Sequence, residues 1–443
     1  MIEQSPKPFE VTNRVVLSIA VPMTLAYLTT PLLGIVGTAV VGQFGSAALL
    51  GGLAAGAIVF DVVFTTFNFL RSGTTGLVSQ AFGRDDPAEE QAIFWRAFAI
   101  ALTSGLILAV AAPLVADAGR WFIGADAAVS EALETYVRVR MLGAPFALIN
   151  YAVLGYVLGR GEATLGLALQ ILLNGLNIIL ALIFGLYWGW GVAGVAWAVV
   201  CGEGVAACVG MIIVMHRFRQ QAPLEKGALL NATAFRRMLS LNRDIMIRSF
   251  SLLAAFALFT RQGAQFGTVT LAANAVLMNF FLVGGFFLDG FANAAEQLAG
   301  RAVGARYAPA FRAALRLTTI WGFVLAALAT TVFLIFGPAL VETITTSTDV
   351  RLAADQFLVW AAFTAVTGVL AFQMDGVFIG ATWSSDMRNM MVLSLVVFVA
   401  ALEILTTVFG NHGLWAALHI FLLTRGVSLL CVLPARARAV FTR

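Results

Sequence analysis

The chain has 443 residues, of which 60% are hydrophobic and only 11% are charged, and its mean hydropathy is +0.92. So few polar groups cannot cover the surface of a water-soluble globule of this length. The composition therefore excludes a soluble enzyme and predicts a membrane protein. The formal net charge of +4 is explained by basic loops at one membrane face rather than by binding to nucleic acid.

Twelve apolar stretches are long enough to cross a bilayer as α-helices, each of which needs about 20 residues. Helices are predicted because lipid leaves every backbone amide to be satisfied within its own segment, and because the strands of membrane barrels span only about ten residues. The predicted spans are residues 15–41, 48–80, 94–119, 134–158, 164–187 and 191–215, followed by 245–266, 271–303, 312–337, 350–380, 385–408 and 413–433.

Only one long polar stretch interrupts these spans, at residues 216–244. We interpret it as a cytoplasmic linker between an N-terminal lobe, residues 1–215, and a C-terminal lobe, residues 245–443. An alternative is suggested by the alternating basic and apolar residues from Phe235 to Ile247, which are typical of an amphipathic helix on anionic lipid headgroups.

The two predicted lobes repeat each other in sequence. Short markers of the first lobe recur in the same order in the second, at a nearly constant offset of 219 to 222 residues. The matched markers are Gln43-Phe44-Gly45 with Gln265-Phe266-Gly267, Gly83 with Gly304, Gly155 and Gly159 with Gly376 and Gly380, and Gly191 and Gly194 with Gly410 and Gly413. This pattern indicates two copies of one six-helix unit.

Basic residues concentrate in alternate connections between the predicted spans, including the linker and the C-terminal segment. Connections of this kind face the cytoplasm, so both termini are predicted to be cytoplasmic in a multi-pass protein of the inner membrane. Because six is an even number of spans, the second lobe enters the membrane in the same orientation as the first. We therefore expect an all-α integral membrane protein with two pseudo-symmetric six-helix lobes and a central cavity.

Ionisable side chains inside apolar spans are candidates for function, because each costs about 2.5–3.5 kcal/mol on insertion scales. Asp289 and Glu296 are two helical turns apart in the eighth span, and Asn293 lies between them. All three are therefore expected on one face of the helix. We predict that this stripe forms the wall of a hydrated cavity or proton path, and the alternative is a structural polar seam.

Other polar groups complete the candidate site for substrate and coupling ion. They are Asp375, beside Gly376 in the tenth span, Asp61, Arg71 and Glu203 in the first lobe, and the amides Asn174, Asn177 and Asn279. For Asp375 a functional and a structural role are equally compatible with the sequence. Structural roles are expected for the remaining charged residues: Arg261 near a helix end, His419 as a satisfied core residue, and Glu403 and Arg425 paired with each other or with neighbours.

The motifs of common enzyme classes are absent from the sequence. Lys7 and Lys226 are the only lysines, and neither follows a phosphate-binding glycine-rich loop. The three histidines have no metal-ligand spacing, and no G-x-S-x-G motif is present. We expect no cofactor and no metal, and we favour a cation-coupled secondary transporter over a membrane enzyme or assembly factor.

Four segments resemble the DinF-like branch of the MATE (multidrug and toxic compound extrusion) transporters. They are FLRSGTTGLVSQAFG (Phe69 to Gly83), LAANAVLMNFF (Leu271 to Phe281), FFLDGFANAAEQLAGRAVGA (Phe286 to Ala305) and DGVFIGATWSSDMRNMM (Asp375 to Met391). The resemblance covers essentially the whole chain and implies antiport of small organic, often cationic, compounds against protons or sodium. We expect a monomer coupled to protons. The rival within transport is a lipid-intermediate flippase of the same wider superfamily, which should have a more cationic cavity.

The chain departs from the pattern that this resemblance implies at two positions. Gly37 stands where the first helix of the family usually has an aspartate, and Ala181 stands where the fifth helix often has one. Neither residue can titrate, so coupling is expected to reside elsewhere. We predict that Asp289, Glu296 and Asp375 of the second lobe dominate coupling, with Asp61 and Glu203 of the first lobe as the fallback.

Overall fold

A computed structural model describes residues 7–222, 227 and 231–442, and this part of the chain is almost entirely helical. The helices are α1 (Asn13–Gly42), α2 (Ala47–Thr66), α3 (Phe69–Arg84), α4 (Pro87–Val110), α5 (Ala112–Ile123), α6 (Ala127–Leu142), α7 (Ala144–Gly159), α8 (Ala163–Leu180), α9 (Gly191–Phe218), α10 (Ala232–Ala264), α11 (Thr268–Gly304), α12 (Ala308–Ile344), α13 (Thr348–Gly380) and α14 (Ser384–Phe441). A π-helical segment, Ala181–Tyr187, continues α8. The predicted all-α class is confirmed.

Nine helices of the described chain are long and apolar enough to cross a membrane when α2 and α3 count as one, and ten when the bent pair α6 and α7 forms a further span. The pair bends by 51° where Pro145 begins the first turn of α7. The last helix, α14, contains two predicted spans on either side of Gly410, whose φ of 56° interrupts the helix. Twelve spans agree with this arrangement, and their exact number stays a prediction.

The predicted linker is helical at both of its described ends. Helix α9 continues to Phe218, and α10 begins at Ala232. The side chain of Asn231 caps α10, because its Oδ1 accepts hydrogen bonds from the backbone N–H groups of Thr233 and Ala234 at 3.0 and 3.1 Å. Local capping therefore starts this helix well before the apolar span predicted from residue 245.

The described helices pack into two compact units. The first unit is Leu25–Asn242. The second unit contains the described residues up to Thr24 together with those from Arg243 onward. Helices α1 and α10 therefore each contribute residues to both units, a division that differs from the predicted boundaries at residues 215 and 245.

Large apolar side chains cover the outside of the described helices. Val110 is 83% exposed, Leu114 72% and Trp121 85%. Water-soluble monomers rarely expose apolar patches of this extent, so these surfaces are suited to lipid. The membrane environment predicted from composition agrees with this distribution.

The core of the second unit is built from buried aromatic rings and one polar cluster. Phe259 packs edge-to-face on Trp415 with ring centroids 5.2 Å apart. Close by, Asn274 and Asn411 exchange amide hydrogen bonds of 2.7 and 2.9 Å, and the indole N–H of Trp415 donates to Asn274 Oδ1 at 3.0 Å. These bonds satisfy buried polar groups next to the interruption at Gly410.

The repeated glycines make close helix contacts in each unit. A Cβ added to Gly155 of α7 would lie 2.7 Å from the carbonyl oxygen of Arg71, and one added to Gly159 would lie 2.9 Å from that of Thr75, both in α3. In the second unit, a Cβ on Gly376 or Gly380 of α13 would collide with backbone carbonyl groups of α11. The glycines that revealed the repeat in the sequence therefore form equivalent seams.

Replacing Gly380 with alanine should lower the free energy of unfolding by about 2–3 kcal/mol, because the new methyl group overlaps the carbonyl oxygen of Glu296. The matched control is Gly175→Ala in α8, where nothing lies within 4 Å of the added atom. The control should stay within about 1 kcal/mol of wild type. Thermal unfolding of both variants in detergent measures the difference, and equal midpoints would contradict the close α11–α13 contact.

Candidate functional site

The predicted polar stripe lies on the face of α11 that packs against α13. Asn293 and Glu296 are buried, and Asp289 is half-buried. The side-chain amide of Asn293 donates to the backbone carbonyl of Asp289 at 3.0 Å. The three residues share one helix face, as predicted from their spacing, and Gly376 and Gly380 bring α13 directly against it.

Two buried glutamines of α11 and α13 were not singled out in the sequence. Gln297 follows Glu296 in α11, and Gln373 lies two residues before Asp375 in α13. Both are at most 2% exposed, and neither side-chain amide has a hydrogen-bond partner among the described residues. Buried amides of this kind are typical of positions that meet water or a ligand.

Asp375 lies between two arginines from neighbouring helices. Arg248 of α10 and Arg425 of α14 both donate to the same oxygen, Oδ2 of Asp375. Asp289 is close enough to Arg425 to interact with it electrostatically. The second unit therefore brings together two carboxylates and two guanidinium groups, a set whose formal charges cancel.

The sequence left two kinds of partner open for Arg425, Glu403 or a neighbour, and the structure shows a neighbour. Arg425 is 2% exposed and pairs with Asp375, whereas Glu403 faces outward from α14. The interruption at Gly410 separates the two residues. By contrast, His419 has partners on both ring nitrogens, the hydroxyl of Thr367 at 2.9 Å and the backbone carbonyl of Trp360 at 3.0 Å. These contacts agree with its structural interpretation.

A second buried ion pair lies in the first unit. Arg140 of α6 donates two hydrogen bonds, of 3.1 and 3.2 Å, to the carboxylate of Glu203 in α9. The guanidinium carbon of Arg140 is 3.7 Å from the ring centroid of Phe60, a cation–π contact. Asn150 donates to the backbone carbonyl of Glu203 at 2.8 Å. Asp61 is exposed on α2 and interacts electrostatically with Arg140.

The other predicted site residues are dispersed. Asn174 and Asn177 are buried on α8, and Asn174 donates to the hydroxyl of Thr29 at 2.6 Å. Arg71 is half-buried and donates within its own helix, to Ser72 Oγ at 3.0 Å. Asn279 is exposed and bonds backbone carbonyls of its own helix. The structure thus groups Asp289, Asn293, Glu296 and Asp375 in one unit, and groups Asp61 and Glu203 around Arg140 in the other.

Solved membrane transporters share this fold. A crystal structure of MATE in the straight conformation superposes with a TM-score of 0.89 at 17% identity, over 97% of each chain. A MOP superfamily transporter from Pyrococcus furiosus, described as having a binding pocket of reverse polarity that suggests a different function, gives 0.88 at 17% identity over 97% of this chain and 96% of its own. At these identities the likeness establishes the fold alone.

Sequence comparison gives the family. The chain belongs to the MatE family, whose model matches residues 22–183 and, separately, 245–405. It is 37% identical over 424 residues to DNA damage-inducible protein F of Escherichia coli K12, covering 94% of this chain and 90% of that protein. It is 26% identical over 428 residues to Protein DETOXIFICATION 44, chloroplastic, of Arabidopsis thaliana, covering 93% and 80%. The predicted resemblance is confirmed, and the chain is a transporter rather than an enzyme.

Proposed function

We propose that the chain is a proton-coupled antiporter that exports small organic, often cationic, compounds across the inner membrane by alternating access. The observation that supports this function is the α11 stripe, where Glu296 is 2% exposed inside an otherwise apolar helix. A carboxylate in such a place is costly, so its retention favours a role in ion or substrate binding. Gln297, the next residue of α11, is buried as well.

Coupling requires a group whose ion occupancy differs between the inward-facing and outward-facing states. Asp375 is held by two guanidinium groups, and Glu203 is held by one through two hydrogen bonds. A carboxylate in such a pair is committed to its partners. We assign coupling to Asp289 and Glu296 because these two carboxylates lie two helical turns apart on one face of α11, and we assign a positioning role to Asp375.

Transport in proteoliposomes under separately imposed gradients tests this function. A fluorescent organic cation should be transported in the direction opposite to the protons that flow down an imposed gradient. A sodium gradient alone should not drive its transport. If only sodium drives transport, the coupling ion is sodium rather than the proton, and the proposal of an antiporter still holds. Failure of both gradients to drive any organic cation would contradict the proposal.

Asp289→Asn and Glu296→Gln should each reduce proton-driven transport by about tenfold or more, because a neutral amide cannot change its proton occupancy between states. The matched control is Glu403→Gln, which neutralises an exposed carboxylate of α14 and should transport like wild type. Initial uptake rates at equal reconstituted protein provide the measurement. If both stripe variants confer wild-type drug resistance at equal expression, the stripe is a structural seam.

An anionic substrate is the second candidate, because three arginines lie within the described helices, each paired with a carboxylate. Arg140 and Arg425 are 4% and 2% exposed, and Arg248 is half-buried. A flippase for a diphosphate-linked lipid would use such groups. The same vesicles, loaded with a diphosphate lipid analogue instead of an organic cation, separate the two functions, since transport of the analogue alone would favour the flippase.

The termini and residues 216–244 are proposed to be cytoplasmic, from the asymmetry of the basic loops. In a background without Cys201, Cys208 and Cys431, a cysteine at position 228, which lies outside the described residues, should be labelled only from the cytoplasmic side. A cysteine at position 346, between α12 and α13, should be labelled only from the other side. Labelling of both from one side would exclude the twelve-span arrangement.

A further inference from the structure

A polar pocket of about 240 Å³ lies where α3 ends and α4 and α10 begin, within the unit Leu25–Asn242. Three arginines, Arg84, Arg96 and Arg237, line it with a single carboxylate, that of Glu89. Arg96 donates to Glu89 at 3.0 Å. Burial lowers the pKa of Arg237, and the neighbouring charge of Arg84 lowers it further. A pocket with more guanidinium groups than carboxylates is complementary to an anion such as a phosphate.

An apolar groove of about 1020 Å³ lies beside this pocket, between α4 and the first turns of α10. Arg96 and Thr233 line both spaces, so the two are adjacent. The groove follows α4 from Trp95 to Thr103, which corresponds to about 12 Å along the helix axis. Its apolar walls are Trp95, Phe98, Ala99, Leu102, Phe235 and Leu239.

We infer that the polar pocket and the apolar groove form one binding site for an anionic phospholipid. The phosphate headgroup contacts Arg84, Arg96 and Arg237, and an acyl chain occupies the groove along α4. A soluble anion would use the pocket alone, and an apolar helix of another protein would leave the arginines without an anion. Basic pockets at the cytoplasmic surface of transmembrane helices are suited to anionic headgroups. This site lies outside the proposed transport machinery and goes beyond the proposed function.

Native mass spectrometry of the full chain in detergent, titrated with phosphatidylglycerol or phosphatidylcholine, tests the headgroup contact. The wild-type protein should bind phosphatidylglycerol more tightly than phosphatidylcholine. The double variant Arg84→Gln with Arg237→Gln should lose about fivefold in affinity per arginine. Arg219→Gln with Arg436→Gln removes the same charge from exposed positions elsewhere and should bind like wild type. Equal affinity for the two lipids, or unchanged binding in the pocket variant, would overturn the inference.

A groove-filling variant tests the acyl contact independently. Ala99 is exposed in the groove, so Ala99→Trp should fill it and weaken phosphatidylglycerol binding. The control variant Val110→Trp changes an exposed residue of the same helix beyond the groove, and it should bind phosphatidylglycerol like wild type. If Ala99→Trp binds normally while inorganic phosphate displaces the lipid, the site binds a free anion and the lipid assignment is wrong. Because no ion gradient is applied, the outcome is independent of transport, and Ala99→Trp decides the question even if the arginine variant does not fold.

Discussion

Replacing Asp375 with asparagine should lower the free energy of unfolding by about 3–5 kcal/mol, because the buried guanidinium group of Arg425 and the half-buried one of Arg248 lose the carboxylate they share. Arg425 is 2% exposed, so water cannot replace that carboxylate. Chemical or thermal unfolding in detergent measures the loss. Transport should fall in parallel with the folded fraction.

Two further variants separate this effect from a general response to Asp→Asn substitution. Asp386 pairs with Arg436 at the surface, where the arginine side chain is 46% exposed, so Asp386→Asn should cost less than about 1 kcal/mol. Asp375→Asn combined with Arg248→Gln removes opposite charges together and should recover part of the stability. A fully stable Asp375→Asn variant that releases no proton on substrate addition would instead return Asp375 to the coupling machinery.

Glu203→Gln should destabilise the first unit by a similar amount, about 3–5 kcal/mol, because the buried Arg140 would lose both of its charged hydrogen bonds. Removing both partners, as Arg140→Gln with Glu203→Gln, should restore part of the loss. Glu162→Gln is the matched control, since Glu162 pairs with Arg160 and Arg217 but its side chain is 29% exposed. The control should cost about 1 kcal/mol or less.

The same variants test where coupling resides. Proton release on substrate addition should persist in Asp61→Asn and in the neutralised Arg140 and Glu203 pair, and it should be lost in Asp289→Asn. Loss of release only in the Asp61 or Glu203 variants would move coupling to the first unit. Proton release is compared per folded molecule, so that a variant with less folded protein is not mistaken for one that has lost coupling.

Features that depend on local spacing could be predicted from the sequence. The spacing of seven positions from Asp289 to Glu296 places both on one face of α11 whatever surrounds the helix. The repeated glycines could be matched because each repeat requires the same close helix contact, and the structure shows that contact for Gly155 and Gly376. Segment similarity was sufficient to indicate the family.

Features that depend on distant partners could not be predicted in this way. Arg140 and Glu203 are 63 residues apart, and Arg248 and Asp375 are 127 apart. Arg140 and Arg248 lie inside spans whose mean hydropathy is high, so hydropathy does not reveal them. No spacing rule connects either arginine to its carboxylate. For Arg425 the sequence left Glu403 and other neighbours open as partners, and the packing of α13 decides for Asp375.

Helices α1 and α10 change unit at equivalent places, after Thr24 and after Asn242, which are 218 residues apart. The opening segment of each repeat thus belongs to the compact body built mainly by the other repeat, a reciprocal exchange within a single polypeptide. Cutting the chain in the linker would not release two self-sufficient halves, since each fragment would carry a length of helix that completes its counterpart.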